Sequence, residues 1–339
     1  MDAAWCARQL LQSEIEMIYR FLKWIAGIAL HWFYREIRIV GEENLPISGP
    51  VLIAANHQNA LVDSLIAGWV MPRRIAMTAK ATLVENPLLA ILFKIVGVVP
   101  LRRVSDEAVK ANGSLDRARN ADAFREILGV LAHSGAVLIF PEGKSHNESR
   151  LEPLKSGLAR LALRARDQES IRNVRILPIG LIFENKAVPG SIVGVRIGEP
   201  IELDAWPDDD AGALTNKIAQ RLRSVSELAG LPPEPPSADP RAKTFLAKWL
   251  IAEAAAWGHF THELPIRIAR SLAEKRSTDA DHPAMLTMTF GVGLVLLAYA
   301  VQTAVVGILS QSVWLTTLYL VSLFVGAYWA AFEKHPAHY

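Results

Sequence analysis

The stretch 283–332 restricts the fold of this chain more than any other feature, because it contains no Asp, Glu, Lys or Arg. Within it, the apolar segments 286–309 and 313–332 each reach the roughly 20 residues that a helix needs to cross the hydrocarbon core of a bilayer. The polar tripeptide SQS separates them. Because helices satisfy their own backbone hydrogen bonds in lipid, this pattern predicts a transmembrane helical hairpin. The alternative is a hairpin buried in a soluble core, but helices of soluble proteins seldom lack charge on every face.

The charges on either side of this hairpin predict its orientation. Basic residues precede it within 267–276 and Lys334 follows it, whereas its short turn has none. Positively charged flanks stay in the cytoplasm, so both ends of the hairpin are expected there. We therefore expect a membrane protein whose remaining residues, and any active site among them, lie on the cytoplasmic face.

The N-terminal stretch 5–34 predicts a second membrane-associated element. In its first half, apolar residues recur at steps of three and four, opposite polar residues such as Arg20 and Lys23. The aromatic-rich run 24–34 is too short to span a bilayer alone. We expect an interfacial helix that lies on the membrane. A helix packed on the protein's own core fits the same pattern almost equally well. Acidic residues such as Glu16 argue against a secretory signal.

Between these ends, the region 35–230 has the pattern of an α/β domain, with a mixed sheet flanked by helices. Its β-rich runs are 35–40, 51–55, 74–79, 136–140, 175–183 and 192–198, and its helical stretches include 119–133 and 155–166. The predicted organisation is an amphipathic helix over 1–34, the α/β domain over 35–230, a Pro-rich linker with a helical segment over 231–282, and the hairpin with its tail over 283–339.

Composition excludes several classes of function. Hydrophobic residues make up 51% of the chain and charged residues 21%, which is too apolar for an ordinary soluble protein and too charged for one that lies wholly in the bilayer. A net charge of +2 indicates no nucleic-acid partner. The single cysteine, Cys6, leaves no disulfide framework and no Cys-rich metal site.

The segment NHQNALVD, at 56–63, follows the apolar run 51–55 and places His57 six positions before Asp63. A histidine is the usual general base at neutral pH, and a carboxylate on its far nitrogen fixes the tautomer. No serine elbow and no metal-ligand spacing accompany the pair, so it would activate a substrate hydroxyl directly. Taken alone, a histidine near a strand end is more often structural.

Two further clusters of polar residues also follow apolar runs. FPEGKSH, at 140–146, ends a strand and begins a loop with backbone N–H groups free near Gly143. Side chains in or after this loop that suit an anion are Lys144, Ser145, His146, Arg150 and Lys155. VGVVPLRR, at 96–103, ends with adjacent arginines that suit bidentate phosphate binding. Because sites in open α/β sheets gather at the carboxyl ends of strands, the three clusters favour one shared site.

These motifs resemble a known family. NHQNALVD, GVVPLRR, FPEGKSH and ILPIGL (176–181) are similar to the four ordered motifs of the membrane-associated glycerol-phosphate and lysophosphatidic-acid acyltransferases. The resemblance covers roughly residues 35–200. It implies an enzyme of phospholipid biosynthesis. Such an enzyme moves a fatty acyl group from acyl-CoA or acyl carrier protein to glycerol 3-phosphate or 1-acylglycerol 3-phosphate.

The resemblance also implies a role for each matching residue. His57 would be the catalytic base and Asp63 would orient it. Pro178 would belong to the acyl-side wall. The residues that would bind or organise the phosphorylated acceptor are Arg102, Arg103, Glu142, Gly143, Lys144, Ser145 and Lys155.

The sequence departs from the usual pattern in two places. Five residues separate His57 from Asp63 instead of four, so their contact does not follow from the usual helix geometry. FPEG is followed by Lys144 and Ser145 instead of Thr-Arg, so Lys144 or Arg150 could replace the usual basic residue. The longer spacing is similar to a branch that acylates glycerol 3-phosphate or dihydroxyacetone phosphate.

The expected mechanism requires neither a metal nor a cofactor, since a thiolate is a good leaving group. Backbone N–H groups are expected to stabilise the tetrahedral oxyanion. The expected partners are the bilayer, an acyl thioester (with acyl carrier protein as one carrier) and a phosphorylated glycerol. Two other classes of function are compatible with the residues. One is a lipid-binding or scaffolding membrane protein without catalysis, and the other is a hydrolase that uses the same His–Asp pair on water.

Overall fold

The structure is a computed structural model that describes residues 3–80, 96–101, 115–146, 148, 150–207, 209–228, 230–234, 245–276 and 282–332. The helices in these residues are α1 (Ala3–Phe33), α2 (Ala60–Val70), α3 (Leu115–Ala132), α4 (Gly157–Asp167), α5 (Ala211–Ser226), α6 (Phe245–Arg276), α7 (His282–Ser310) and α8 (Val313–Phe332). The strands are β1 (Glu36–Val40), β2 (Val51–Ala55), β3 (Ala76–Lys80), β4 (Val98–Leu101), β5 (Ala136–Ile139), β6 (Arg175–Phe183), β7 (Ile192–Ile197) and β8 (Ile201–Glu202).

The strands form one mixed sheet in the order β1-β7-β6-β2-β5-β3-β4, with β8 paired to β6. Strands β2 to β6 run parallel to one another, whereas β7 is antiparallel to β6. The predicted mixed α/β fold is confirmed, and each of the β-rich runs contains a strand. The strand β4 was expected only as an apolar run, and it forms because its backbone pairs with β3.

Helices cover both faces of the sheet, and successive residues of the central strand β2 alternate between two cores. Ile53 packs in the core beneath α1 and α2, which includes Leu30 and Ile66. Leu52 packs in the core beneath α3, α4 and α5, which includes Leu161. Every residue of β2 is therefore buried, which explains why VLIAA is continuously apolar rather than alternating.

The helices that follow the neighbouring strands β2 and β5 lie on opposite faces of the sheet. Helix α2 follows β2 on the first face, and α4 follows β5 on the second. A crevice therefore opens at the carboxyl ends of these two strands, which is where α/β proteins place their sites.

Four helices, α1, α6, α7 and α8, pack beside the α/β domain as a helical unit. Helices α6 and α8 approach so closely that a Cβ atom on Gly258 would lie 2.0 Å from the carbonyl oxygen of Gly326, so only glycines fit at this contact. The last turns of α1 are buried, including Leu30 and Phe33, whereas Phe21 is exposed. The C-terminal part of α1 thus packs on the protein's own core.

The predicted helical hairpin is present as α7 and α8, which are joined by Gln311 and Ser312. By length and composition, Ala284–Ser310 and Val313–Phe332 are candidate membrane spans, with mean hydropathies of 2.2 and 1.6. In the most apolar 18-residue stretch of each helix, only 6% and 22% of the residues are buried. Apolar side chains on the outside of this hairpin suit contact with lipid.

Candidate active site

His57 and Asp63 meet at the carboxyl end of β2. Strand β2 ends at Ala55 and α2 begins at Ala60, so Asp63 lies in the first turn of the helix. Nδ1 of His57 lies 2.9 Å from Oδ2 of Asp63, and both residues are buried. The contact that the five-residue spacing left open is therefore formed. Ala60 adopts a left-handed φ of 44° where the loop turns into the helix, a conformation that residues other than glycine seldom take.

The carboxylate of Asp63 sets the tautomer of His57. Its Oδ2 atom also accepts a hydrogen bond from the backbone N–H of Asn59, at 2.7 Å. An ionised carboxylate only accepts hydrogen bonds, so Nδ1 of His57 carries the donated proton and Nε2 is the nitrogen that can accept one. The imidazole also stacks on Phe140, with a centroid distance of 4.0 Å and an interplanar angle of 13°. The pair thus has the geometry of an oriented general base.

Glu142 joins the loop after β5 to the loop after β2. Its Oε1 atom accepts from the backbone N–H of His57 at 2.7 Å, and its Oε2 atom accepts from that of Glu152 at 2.9 Å. Nε2 of His146 also contacts Oε2, and the backbone N–H of His146 donates to the carbonyl of His57 at 3.2 Å. Both carboxylate oxygens of Glu142 are used by protein donors. This geometry suits organising the loop rather than touching a phosphate, although the role stays a prediction.

Four other predicted residues follow Glu142 in the loop between β5 and α4. Ser145 accepts a hydrogen bond from the backbone N–H of Ala60 at 3.1 Å, which ties the loop to the start of α2. Gly143 has a φ of 77°, and a Cβ atom there would lie 2.7 Å from Nζ of Lys155. Lys155 therefore lies against Gly143, with its side chain exposed. Lys144 points into solvent and pairs with Glu152 at 3.0 Å.

The remaining predicted residues are placed elsewhere or lie outside the described residues. Pro178 is buried in β6, beside Gly198 and Val225 on the face that α5 covers. Its role at the acyl-side wall stays a prediction. Arg102 and Arg103 are outside the described residues, and so is any contact they make. The described part of β4 ends at Leu101, at the same edge of the sheet as Ala55 and Ile139, because these strands are parallel.

Sequence reasoning missed a second group of polar residues around the pair. The side chain of Asn56 exchanges hydrogen bonds of 2.9 and 2.7 Å with the backbone of Leu181. Asn59 donates to the hydroxyl of Tyr34 at 2.8 Å, and that hydroxyl donates to the carbonyl of Lys186 at 3.3 Å. The asparagines were visible beside His57 in NHQN. Lys186, which follows β6, could have been found by the rule that sites gather at strand ends.

Lys186 and Tyr34 extend the hydrogen-bond network beyond the two loops. Nζ of Lys186 donates to the carbonyls of Gln58, at 2.5 Å, and His146, at 3.2 Å. Burial raises the pKa of the Tyr34 phenol, and the nearby charge of Asp63 raises it further. Tyr34 is therefore a neutral hydroxyl at physiological pH. In the described residues no group of three or more His, Cys, Asp and Glu side chains is arranged to hold a metal ion.

Comparison with known proteins finds several that are similar to this chain. The family model described as "Acyltransferase" matches residues 36–182. Glycerol-3-phosphate O-acyltransferase 1 of Saccharomyces cerevisiae is 27% identical, and the match covers 56% of this chain and 35% of the yeast protein. A chloroplastic 1-acyl-sn-glycerol-3-phosphate acyltransferase of Brassica napus is 26% identical, over 59% of this chain and 55% of the plant protein. The chain thus spans only part of the length of these relatives.

Two further matches come from human and bacterial proteins. Human 1-acyl-sn-glycerol-3-phosphate acyltransferase alpha is 25% identical, over 62% of this chain and 68% of the human protein. The crystal structure of a 1-acyl-sn-glycerophosphate acyltransferase from Thermotoga maritima matches with a TM-score of 0.48 and 20% identity, covering 69% of this chain and 86% of the bacterial chain.

Proposed function

We propose, from the match of residues 36–182 to the acyltransferase family model, that the chain belongs to this family and transfers a fatty acyl group from a thioester to a hydroxyl of a glycerol-phosphate acceptor. The observation that carries the proposal is the buried His57–Asp63 pair, with Nδ1 and Oδ2 2.9 Å apart. Glu142 holds the backbone of His57 in place. The acceptor is glycerol 3-phosphate or 1-acylglycerol 3-phosphate, in keeping with the names of the relatives.

In the proposed reaction, Nε2 of His57 takes the proton of the acceptor's hydroxyl. The oxygen attacks the thioester carbonyl and forms a tetrahedral oxyanion. The carbon–sulfur bond then breaks, the acyl ester remains on the acceptor, and the imidazolium returns its proton to the thiolate. Asp63 stabilises the imidazolium while it exists. The pair lies in a low-dielectric site, where a charge interaction of this kind is stronger than in water.

The phosphate of the acceptor is proposed to lie beside the loop that contains Glu142. Lys155 lies against Gly143 in this loop and has an exposed side chain that could reach a ligand. Lys144 is already paired with Glu152. We therefore propose Lys155 as one phosphate ligand and Arg103, after β4, as another. Neither contact requires Glu142 to approach the phosphate, which a carboxylate would repel.

The helical unit is proposed to hold this site at a membrane surface. The acyl chains and the product of the reaction partition into lipid, whereas glycerol 3-phosphate and the thioester carriers are water-soluble. The basic residues of 267–276 precede the hairpin, and we place them and the active site on the cytoplasmic side. This orientation lets the site receive soluble substrates and release its product into the bilayer.

The decisive experiment measures acyl transfer by the purified full-length protein in detergent. Glycerol 3-phosphate and 1-acylglycerol 3-phosphate are compared side by side, each with acyl-CoA and acyl carrier protein as donor. His57→Ala should lower kcat at least about 10²-fold, because a positioned general base contributes about 10² to 10⁴. His133→Ala is the matched control, since His133 is exposed at the other end of the sheet and should keep full activity.

Three results would contradict the proposal. Wild-type turnover in His57→Ala would remove the base assignment. Release of free fatty acid without formation of a glycerol ester would indicate a hydrolase. Absence of both reactions with every substrate pair, in a folded wild-type protein, would indicate a lipid-binding protein without catalysis.

A further inference from the structure

An apolar pocket lies between α1, α6, α7 and α8, away from the His57–Asp63 pair. It has a volume of about 110 Å³, and its walls include Trp24, Gly291 and Leu296. We call it the bundle pocket. Leu296 is 51% exposed, so the pocket opens sideways, on the surface of a candidate membrane-spanning helix. A ligand would enter it from the medium that surrounds the hairpin.

One arginine lines this apolar space. Arg270, on α6, lines the bundle pocket, and its Nε atom is buried without a hydrogen-bond partner in the part of the chain that the structure describes. Arg267, one turn earlier, instead donates to Glu263 at 2.9 Å. A buried guanidinium N–H without a partner is costly. Arg270 therefore has the chemistry to bind an anionic oxygen that comes with the ligand.

The charge lies toward one end of the bundle pocket. Helix α7 lines the pocket from Thr287 to Tyr299, a rise of about 18 Å. Gly291 faces Ala269, the residue before Arg270, so the guanidinium lies nearer to Thr287 than to Tyr299. From Gly291 to Tyr299 the apolar remainder extends along the helix for about 12 Å, which is most of the ~15 Å thickness of one bilayer leaflet. The polar end and the apolar length match the head group and one acyl chain of a phospholipid. A volume of about 110 Å³ holds only part of that chain, so the rest of the lipid would lie in the surrounding bilayer.

We propose that the bundle pocket binds one anionic phospholipid of the bilayer, with an acyl chain along α7 and the phosphate on Arg270. The bound lipid is distinct from the acceptor of the proposed reaction, because none of His57, Asp63 and Glu142 lines the pocket. The two regions are nevertheless close along the chain. Phe33 lines the pocket, and the next residue, Tyr34, accepts the hydrogen bond from Asn59 beside the catalytic pair.

Native mass spectrometry of the detergent-solubilised full-length protein tests this site. The probes are phosphatidylglycerol and phosphatidylcholine with identical chains, titrated without acyl donor or acceptor. Wild-type protein should bind one phosphatidylglycerol about tenfold more tightly than phosphatidylcholine, because the choline cation offsets the attraction between the phosphate and Arg270, whereas the glycerol head group carries no cation. Arg270→Gln should remove this preference. Arg267→Gln, which loses the same charge one turn away, should keep it.

A second pair of variants tests the apolar part of the bundle pocket. Gly291→Leu should lower the affinity for both lipids about tenfold or more, because its side chain would occupy the pocket. A Cβ atom at position 291 meets only the Cβ atom of Ala269, at 3.9 Å, so the substitution adds no clash at its base. Gly293→Leu is the matched control, since Gly293 is exposed on the same helix and has no neighbour within 4 Å of an added Cβ atom.

The proposal is overturned by equal binding of the two lipids to wild type, by a phosphatidylglycerol preference that survives in Arg270→Gln, or by equal losses in Gly291→Leu and Gly293→Leu. If Gly291→Leu loses its helical circular dichroism, the Arg270→Gln result decides alone. Binding is measured without turnover, so a failure of the proposed acyltransferase activity leaves this result unaffected.

Discussion

The polar edge of the sheet and the helical hairpin place their side chains in opposite ways. At the edge, the polar residues His57, Asp63 and Glu142 are 8%, 0% and 2% exposed, and each has hydrogen-bond partners in the protein. At the tip of the hairpin, the apolar residues Val313 and Trp314 are 84% and 75% exposed. Polar groups are inside where the protein supplies their partners, and apolar groups are outside where no protein covers them. The first region suits chemistry, and the second suits lipid as its solvent.

The strongest test of the polar edge changes the charge of Asp63 and retains its shape. Asp63→Asn should lower kcat by about 10² to 10³-fold, because the imidazolium formed during proton transfer loses its buried counter-charge. The amide oxygen can still accept the hydrogen bond from the backbone of Asn59, so the fold should persist. Steady-state kinetics and circular dichroism measure the two effects.

Asp122→Asn is the control for Asp63→Asn, because Asp122 is an exposed carboxylate on α3 that pairs with Arg125 on the surface. It should change kcat by less than about twofold. If Asp63→Asn also retained nearly full kcat, the buried His57–Asp63 pair would be structural. The polar edge of the sheet would then differ from the hairpin in burial but not in a catalytic role.

A lysine on the outer face of the hairpin tests whether lipid is the solvent there. Leu297, on α7, is 60% exposed. If it faces hydrocarbon, Leu297→Lys should disfavour insertion by about 3 kcal/mol, or roughly 10²-fold. If it faces water, the cost should stay within about 0.5 kcal/mol. Quantifying the share of the expressed protein in the membrane fraction distinguishes the two cases.

Ile47→Lys is the matched control for Leu297→Lys, since Ile47 is 81% exposed on the α/β domain. It should leave the membrane-bound fraction unchanged. Equal behaviour of the two lysine variants would mean that the hairpin is covered by protein or lies in water.

Predictability from sequence also differs between local and long-range features. The His57–Asp63 contact spans six residues, so the motif and the strand–helix boundary suggested the pair, whereas the extra residue between them left the contact itself open. The contact between Tyr34 and Lys186 spans 152 residues, and no local sequence pattern predicts it. The same reason explains β4, since Pro100 weakens its strand signal and pairing with β3 supplies the missing stabilisation.

The helical unit shows the same limit in a different form. The charge-free stretch identified α7 and α8 directly, because hydropathy is a local property. The side that α1 presents to the core could not be derived in this way. The apolar face of an amphipathic helix can pack equally well on lipid or on a protein core. The contacts of Trp24 with Phe324 and Tyr328 in the structure show that α1 packs against α8.

The smallest expected effect concerns the exposed rim of the polar edge, where the two lysines of the loop after β5 differ in their partners. Lys144 is engaged by Glu152, whereas Lys155 lies against Gly143, next to Glu142. If Lys155 binds the acceptor's phosphate, Lys155→Ala should raise the KM for the glycerol phosphate about tenfold and leave the KM for the thioester unchanged. Lys144→Ala should alter either KM less than about twofold, because an exposed ion pair contributes little. Measured KM values that rise together for both substrates in Lys155→Ala would mean that this lysine supports the loop instead. In that case the phosphate must be held by other cations at this edge of the sheet.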